Sequence, residues 1–306
     1  MRPVTVCVCT FRRPRQLSRL LSSLLGVALP ASSGFVIVDN DGENPEIETL
    51  VAGFRTAVGV PVEYLVERGR GISSARNAAV AAARRAGAGA IAMLDDDEWP
   101  SPDWLVNLIA TQEATGAMVV GGPVQPVFDA NSHVPKKFEE LWSVREGRLN
   151  GKLYVYCTCN CLIDLQAIAF LGEDPFPEAF GLSGGEDAVF FRRLFFAGCR
   201  MAWAAEALVF EEIPAERATL GWMRRRWYRH GNVGVRCEQT APGARDLSSL
   251  LKTVLLCVRY PFYPLLSRSP IRDPFLWILE AERLRGRIAA HFGLGSEEYG
   301  RPAAIS

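Results

Sequence analysis

The sequence predicts an α/β protein, a mostly parallel central sheet flanked by helices, with a helical C-terminal extension. Three observations carry that reading. Short β-branched runs alternate with longer stretches of helical periodicity through the first hundred residues. Polar clusters at 10–13, 39–42, 68–77 and 95–98 each fall where such a run ends, the edge at which open α/β sheets bind ligands. From Leu247 to Gly295, apolar stripes mix with arginines and read as helices packed on the body or lying on a membrane surface.

Val4 to Cys9 is the first strand, and leucines 17, 20, 21, 24 and 25 mark a helix over Pro14 to Leu25. Phe35 to Asp39 is a second strand, completing a βαβ unit that crosses over right-handed into a parallel sheet. Asp39, beside Asn40, Asp41 and Gly42, either starts a turn or accepts hydrogen bonds from a nucleotide base or ribose. A helix over Pro45 to Phe54 and a strand over Val60 to Val66 follow. Arg68 to Asn77 then opens an alanine-rich helix through Arg85. Gly69 and Gly71 allow close backbone approach, Ser73 or Ser74 can cap, and Arg70 and Arg76 add charge where anions bind. The spacing matches neither a dinucleotide fingerprint nor a P-loop.

The fourth strand, Ala90 to Leu94, runs straight into Asp95, Asp96, Asp97 and Glu98 and is closed off by Trp99 and Pro100. Ser101 and Pro102 read as the N-cap and first position of the next helix. Crowded carboxylates raise one another's pKa unless a cation shares the site. Oxygen-only ligands favour Mg²⁺ or Mn²⁺, with waters and phosphate oxygens filling the remaining positions. The reading is a metal–diphosphate site, against that of an acidic solvated loop capping a helix.

The second half is less regular. Gly121 to Pro126 marks the exit from the first half, Phe138 to Arg145 reads as a short helix and Leu153 to Ile163 as a strand. Gly172 to Gly185 is a loop long enough to be a lid or a substrate rim. It delivers Glu186 and Asp187 to the start of an apolar helix over Ala188 to Ala197, a position that also suits simple dipole capping. Trp222 to His230 is the densest basic and aromatic cluster, either a solvated helix face or a clamp for diphosphate or lipid phosphate. The expected division is 1–120, 121–240 and a helical extension over 241–306.

With 34 basic and 34 acidic residues, no overall field favours nucleic acid. Eight cysteines form no C-x-x-C pair, and the spacings Cys7/Cys9 and Cys157/Cys159/Cys161 suit small hydrophobes on one strand face in a reducing compartment. The first residues do not read as a signal peptide. The most apolar window, Leu250 to Leu266, is broken by Lys252, Arg259, Pro261 and Pro264 and does not read as a membrane span. The expected place is the cytoplasm, with peripheral contact at the inner face of the plasma membrane or, equally, core packing of that segment.

Five landmarks in order carry a resemblance: Val-Cys-Thr-Phe-Arg-Arg-Pro at 8–14, Val-Asp at 38–39, Gly-Ile-Ser-Ser-Ala-Arg-Asn at 71–77, Leu-Asp-Asp-Asp-Glu-Trp-Pro at 94–100 and Gly-Gly-Glu-Asp at 184–187. Over about residues 4–235 the chain resembles family-2 glycosyltransferases of the GT-A fold, Rossmann-like in its sheet, and among them the bacterial exopolysaccharide group of succinoglycan-type glucosyltransferases. The resemblance implies that Thr10 and Arg12 line the nucleotide pocket, Asp39 holds base or ribose, and Arg76 and Asn77 support the donor side. Asp95 and Asp97 match the D-x-D positions that bind Mn²⁺ or Mg²⁺ and the donor diphosphate, with Asp96 an ambiguous neighbour. Asp187 matches the catalytic base, so the resemblance makes 1–120 the nucleotide-sugar-binding half and 121–240 the acceptor-binding half with the catalytic base. Some relatives carry a metal-assisting histidine after the late strand, where this chain has Glu211 and Glu212, and His230 is the only histidine nearby in sequence.

The implied activity is metal-dependent inverting transfer of a hexose, glucose from UDP-glucose, to a lipid-linked saccharide. The alternative is an inactive member acting as a saccharide-binding or scaffold subunit. A phosphatase with Asp95 as nucleophile would place its acids after the first strand, and a calcium loop over 95–106 fails because Pro100 and Val106 occupy its glycine and glutamate positions.

Overall fold

The computed structural model describes residues 2–42, 44–132, 134–240, 246–262 and 274–295. Two compact units emerge: Met1–Val127, Pro135–Gly181 and Glu186–Ile213 form the first, and Phe128–Val134, Leu182–Gly185 and Pro214–Ser306 the second.

The first unit opens with the expected alternation: β1 (Val4–Thr10), α1 (Pro14–Leu24), β2 (Ser33–Asp39), α2 (Pro45–Val58), β3 (Val62–Val66), α3 (Ile72–Arg85) and β4 (Ala90–Asp95). β2 lies parallel to β1 and to β3, and β4 lies parallel to β1 on its other side. The chain therefore reverses its direction of strand addition at β1, and the gap between β1 and β4 at their carboxyl ends is the topological switch point. β10 (Cys161–Asp164) then runs antiparallel to β4 and to β6 (Val119–Gly121), and β11 (Met201–Trp203) closes the edge, giving the described order β11-β6-β10-β4-β1-β2-β3.

Both faces of this sheet are covered, so its strands are apolar on both sides. Period-two alternation sends Val4, Val6 and Val8 to one core with the leucines of α1. Cys7 faces the other, with the alanines of α3 and the phenylalanines of α7 (Glu186–Phe196). Cys161 and Cys199 are buried there as well, and all eight cysteines are free thiols.

Local expectations change, and the helix expected over Phe138 to Arg145 covers only Lys136–Glu139. No helix begins at Ser101. Glu98–Pro100 forms a short strand, β5, pairing antiparallel with β12 (Val209–Ile213), and α4 begins at Trp104. The expected strand over Leu153 to Ile163 splits into β9 (Lys152–Tyr154) and β10, with irregular chain between them. Neither Ser73 nor Ser74 caps α3: Gly71 holds the cap position at φ 100°, and Ser73 Oγ instead donates to Pro177 O at 2.9 Å. A Cβ on Gly71 would stand 2.6 Å from the carbonyl oxygen of Gly181, which requires a glycine there.

The second unit holds α8 (Leu220–Gln239), α9 (Asp246–Arg259) and α10 (Pro274–His291). α8 and α10 touch backbone to backbone where Gly231 and Gly286 cross, since a Cβ on either would collide with a carbonyl oxygen of the opposite helix. Glu238 of α8 ties all three helices: it accepts from Arg287 of α10 at 2.8 Å and from Ser249 of α9 at 2.7 Å, and pairs with Lys252. Residues 263–266 of the Leu250 to Leu266 segment lie outside the described residues. Among the described residues no helix is long and apolar enough to cross a membrane.

Burial alone would push the Glu238 carboxyl up, but its bonds to Arg287, Lys252 and Ser249 bring it down to about 2. A depressed carboxylate contributes stability above its unfolded pKa, near 4.3, and loses it as pH falls toward the folded value. The helices of this unit should therefore lose stability between pH about 4.5 and 2. Glu238→Gln, which leaves buried Arg287 uncompensated, should cost roughly 3 kcal/mol at neutral pH. Urea unfolding of both proteins across that range checks it; identical acid limbs would sink the assignment.

Candidate active site

The loops at the carboxyl ends of β1, β2 and β4 and the first turn of α7 come together within the first unit. Where β4 runs out, Asp96 and Asp97 form a turn that leads into Glu98, and burial alternates along the four acids. Asp95 and Asp97 face outward, with side chains 42% and 14% exposed, whereas Asp96 and Glu98 turn inward and are buried. The alternation separates a D-x-D pair from the run of three aspartates. Asp96 accepts from Thr10 Oγ1 at 2.8 Å and from Arg13 Nη1 at 2.9 Å, and the same Arg13 nitrogen reaches Asp97 Oδ2 at 3.2 Å. Burial pushes Asp96 up to about 6 against the pull of Arg13. Glu98 accepts the Asp95 backbone N–H at 2.8 Å and so fixes the turn, and burial holds its carboxyl well above the ordinary glutamate range.

Arg76 stands in the centre. Its side chain is 7% exposed, donates to Asp95 Oδ1 at 3.0 Å and pairs with Glu186 in the first turn of α7. One guanidinium fork thus joins the outward acid of β4 to the residue preceding Asp187. Burial pushes Glu186 up to about 7, with Arg76 pulling the other way. Burial also raises Asp187, although Arg76 and the Ala188 N–H, donating to Asp187 Oδ1 at 2.7 Å, oppose it.

The remaining expected residues are placed as follows. Arg12 adopts φ 55°, and that left-handed turn carries it to Asp41 at 2.8 Å while Arg13 takes the aspartates. Asp39 is fully buried and starts the turn: it accepts from the Asp41 N–H at 2.9 Å and the Tyr64 hydroxyl at 3.1 Å. Asn77 clasps the backbone of Phe176, donating to its carbonyl and accepting from its N–H, both at 2.9 Å, so its amide fastens the 172–181 segment. Sequence reasoning passed over Arg13, Glu186 and Tyr64. Glu186 was visible as half of an E-D pair at a helix start, and Arg13 as half of an arginine pair, but neither pair reveals which member turns inward.

A divalent metal was tested against this donor set. Among the described residues no three His, Cys, Asp or Glu side chains gather as a metal cage. Asp95 and Asp97 nevertheless supply hard carboxylate oxygens on the outward side, which suits an ion that takes one or two carboxylates and completes its shell with water and phosphate. The strand pairing sets Glu211 opposite Glu98, and the Glu212 N–H donates to Asp97 O at 3.2 Å. The backbone of Glu211 and Glu212 therefore runs beside the acidic turn, and the Glu212 carboxylate itself pairs with Arg19 at 3.0 Å. His230 belongs to the second unit and lies against Trp227.

Known proteins share both the fold and the sequence. The chain is 34% identical over 246 residues to the succinoglycan biosynthesis protein ExoM of Rhizobium meliloti (strain 1021), an alignment covering 79% of this chain and 78% of that one. The mannosyltransferase PcManGT from Pyrobaculum calidifontis, solved in complex with GDP-Man and Mn²⁺, superposes with a TM-score of 0.64 at 17% identity over 95% of this chain and 88% of that one. TarS of S. aureus superposes with a TM-score of 0.54 at 13% identity, covering 96% of this chain, which spans 55% of that longer one. These likenesses establish the GT-A fold. The family model for glycosyl transferase family 2 matches residues 5–171, more than half of the chain, and the protein is a glycosyltransferase of that family.

Proposed function

We propose that the chain transfers a hexose, with inversion, from a nucleoside-diphosphate sugar to a lipid-linked saccharide in exopolysaccharide assembly, with glucose from UDP-glucose as the donor reading. The observation that carries it is the Arg76 bridge, which places the outward acid of β4 and the helix turn bearing Asp187 in one site. Support for the donor class comes from the fold relatives: PcManGT was solved with GDP-Man and Mn²⁺, and TarS residues 1–349 with UDP and with UDP-GlcNAc. Support for the pathway comes from the succinoglycan biosynthesis relative.

In this reading Asp187 takes the proton of the acceptor hydroxyl as its oxygen attacks the anomeric carbon. The new glycosidic bond forms on the face opposite the departing diphosphate, and the anomeric C–O bond to phosphate breaks. A single carboxylate base suffices for inversion, without a glycosyl–enzyme intermediate. Asp95 and Asp97 would hold Mn²⁺ or Mg²⁺ together with diphosphate oxygens, and the ion would neutralise charge growing on the leaving group. Thr10 and Arg13, locked on Asp96, shape the donor side, with Arg12 and Asp39 at the nucleotide end. Arg76 positions Asp95 and Glu186, and Asn77 fastens the rim behind them.

Calorimetric titration with UDP should show binding that Mn²⁺ strengthens and that Asp97→Ala weakens ~100-fold, about 3 kcal/mol. Absence of nucleotide binding under every metal condition would overturn the transferase reading in favour of a scaffold. Asp187→Asn should lower kcat ~1000-fold while leaving UDP affinity within about twofold; undiminished transfer would remove Asp187 from the mechanism. Because burial raises the Asp187 pKa, the acid limb of kcat/KM should lie above the ordinary aspartate range, the rate falling as pH drops through it and the base takes up a proton. A profile flat down to pH 4 would contradict that.

A further inference from the structure

In the second unit, α9 presents its polarity in reverse. A helix docked on a protein ordinarily turns its apolar stripe inward. Here Ser249 and Thr253 are the buried side, whereas Leu247, Leu250, Leu251, Val254, Leu255 and Val258 stand between 44% and 61% exposed. Their spacing of three and four residues makes one continuous stripe about 17 Å long.

Ion pairing holds the helix that way round. Glu238 takes Ser249 and Lys252 of α9, and Arg287 donates to Glu238 and, at 3.1 Å, to Thr253 Oγ1. His291 of α10 meets the same hydroxyl at 3.1 Å. Rolling the leucines inward would break the bonds that α9 itself makes, those of Ser249 and Lys252 to Glu238 and of Thr253 to Arg287 and His291. Where α9 ends, Arg259 is exposed and Tyr260 stacks on Trp277 of α10 with ring centroids 5.3 Å apart, while Trp277 remains 41% exposed.

The charge of the chain segment that carries the stripe favours one partner. Residues 214–295 contain 14 Lys and Arg against 6 Asp and Glu, in a chain that is neutral as a whole. Two of the acids turn inward beneath exposed cations: the Glu238 and Glu282 side chains are 15% and 7% exposed, against 57% for Lys252 and 66% for Arg285. Pairing this surface with a second copy would bring two positive surfaces together. An anionic lipid surface offers both an apolar interior for the leucines and a complementary field for the arginines, and tryptophan and tyrosine suit its interface. We infer that the outward face of α9, bordered by Trp277, lies in the plane of an anionic membrane surface with its leucines in the headgroup–acyl boundary. The inference goes beyond the transfer reaction and does not depend on the donor.

Sedimentation of the full chain with vesicles tests it. The protein should pellet with vesicles of phosphatidylglycerol and phosphatidylcholine, bind phosphatidylcholine alone at least about tenfold more weakly, and weaken on the mixed vesicles as salt rises. The double variants Leu251→Ser/Leu255→Ser and Val254→Ser/Val258→Ser, each removing only solvent-facing carbon, should partition at least about tenfold less while keeping wild-type circular dichroism and UDP affinity. Failure to bind anionic vesicles at low salt, or unchanged binding by both variants, overturns the proposal. So does a concentration-dependent dimer, seen by size exclusion with light scattering, that both variants abolish, because a second copy would then cover the stripe. Since UDP titration reads the first unit alone, loss of vesicle binding with nucleotide binding intact speaks to this face, and loss of nucleotide binding speaks to the transferase reading.

Discussion

The site depends on one buried cation. Arg76 sits almost out of solvent between Asp95 and Glu186, which come from elements far apart in sequence and would repel each other across the switch point without it. A buried arginine is tolerated only with its partners in place, and a buried acid such as Glu186 only with a cation beside it. Each group therefore specifies the position of the others, and the helix turn that carries Asp187 is located by electrostatics as much as by apolar packing. The same principle repeats one layer out, where Arg13 spans Asp96 and Asp97 and Thr10 completes the set. The acidic run is stable as a folded feature because half of it, Asp96 and Glu98, turns inward onto arginine, hydroxyl and backbone N–H.

The first half of the chain was legible because its information is periodic. Valines at 4, 6 and 8 and leucines at 17, 20, 21 and 24 announce their faces, and the structure uses those faces. The choice between neighbours was not legible. Arg12 and Arg13 look alike in sequence, and a left-handed backbone at Arg12 decides which meets the aspartates. Likewise a helix start at Ser101 was a sound local reading. The chain between Asp97 and Trp104 instead serves a strand pairing with residues more than a hundred positions away, and no local signal records such a partner. The expected strand from Leu153 to Ile163 divides for a related reason, since its first residues pair with Gly147–Leu149 in a separate hairpin and its last with two strands of the large sheet.

In the helical second unit the period of α9 could be read from its leucines, but not the direction in which they face. Hydrophobic periodicity states that a stripe exists; its orientation is set by which side carries the groups with buried partners. Those partners, Glu238 and Arg287, lie on two other helices. A reading based on apolar residues alone would have turned the helix around.

The loop from Gly172 to Gly185 was expected as a lid or a substrate rim. Its 172–181 part is fastened by the Asn77 clasp on Phe176, by Ser73 on Pro177, by the Ile72 N–H on Gly181 O at 3.2 Å, and by the Phe176 ring stacked 4.4 Å from Phe190. Swinging it aside would expose a buried phenylalanine and break four hydrogen bonds at once. Its amides should thus exchange only through opening events rare on the timescale of a catalytic cycle. The segment acts as a fixed wall, so the pace at which ligands enter and leave is set by parts of the chain other than this one.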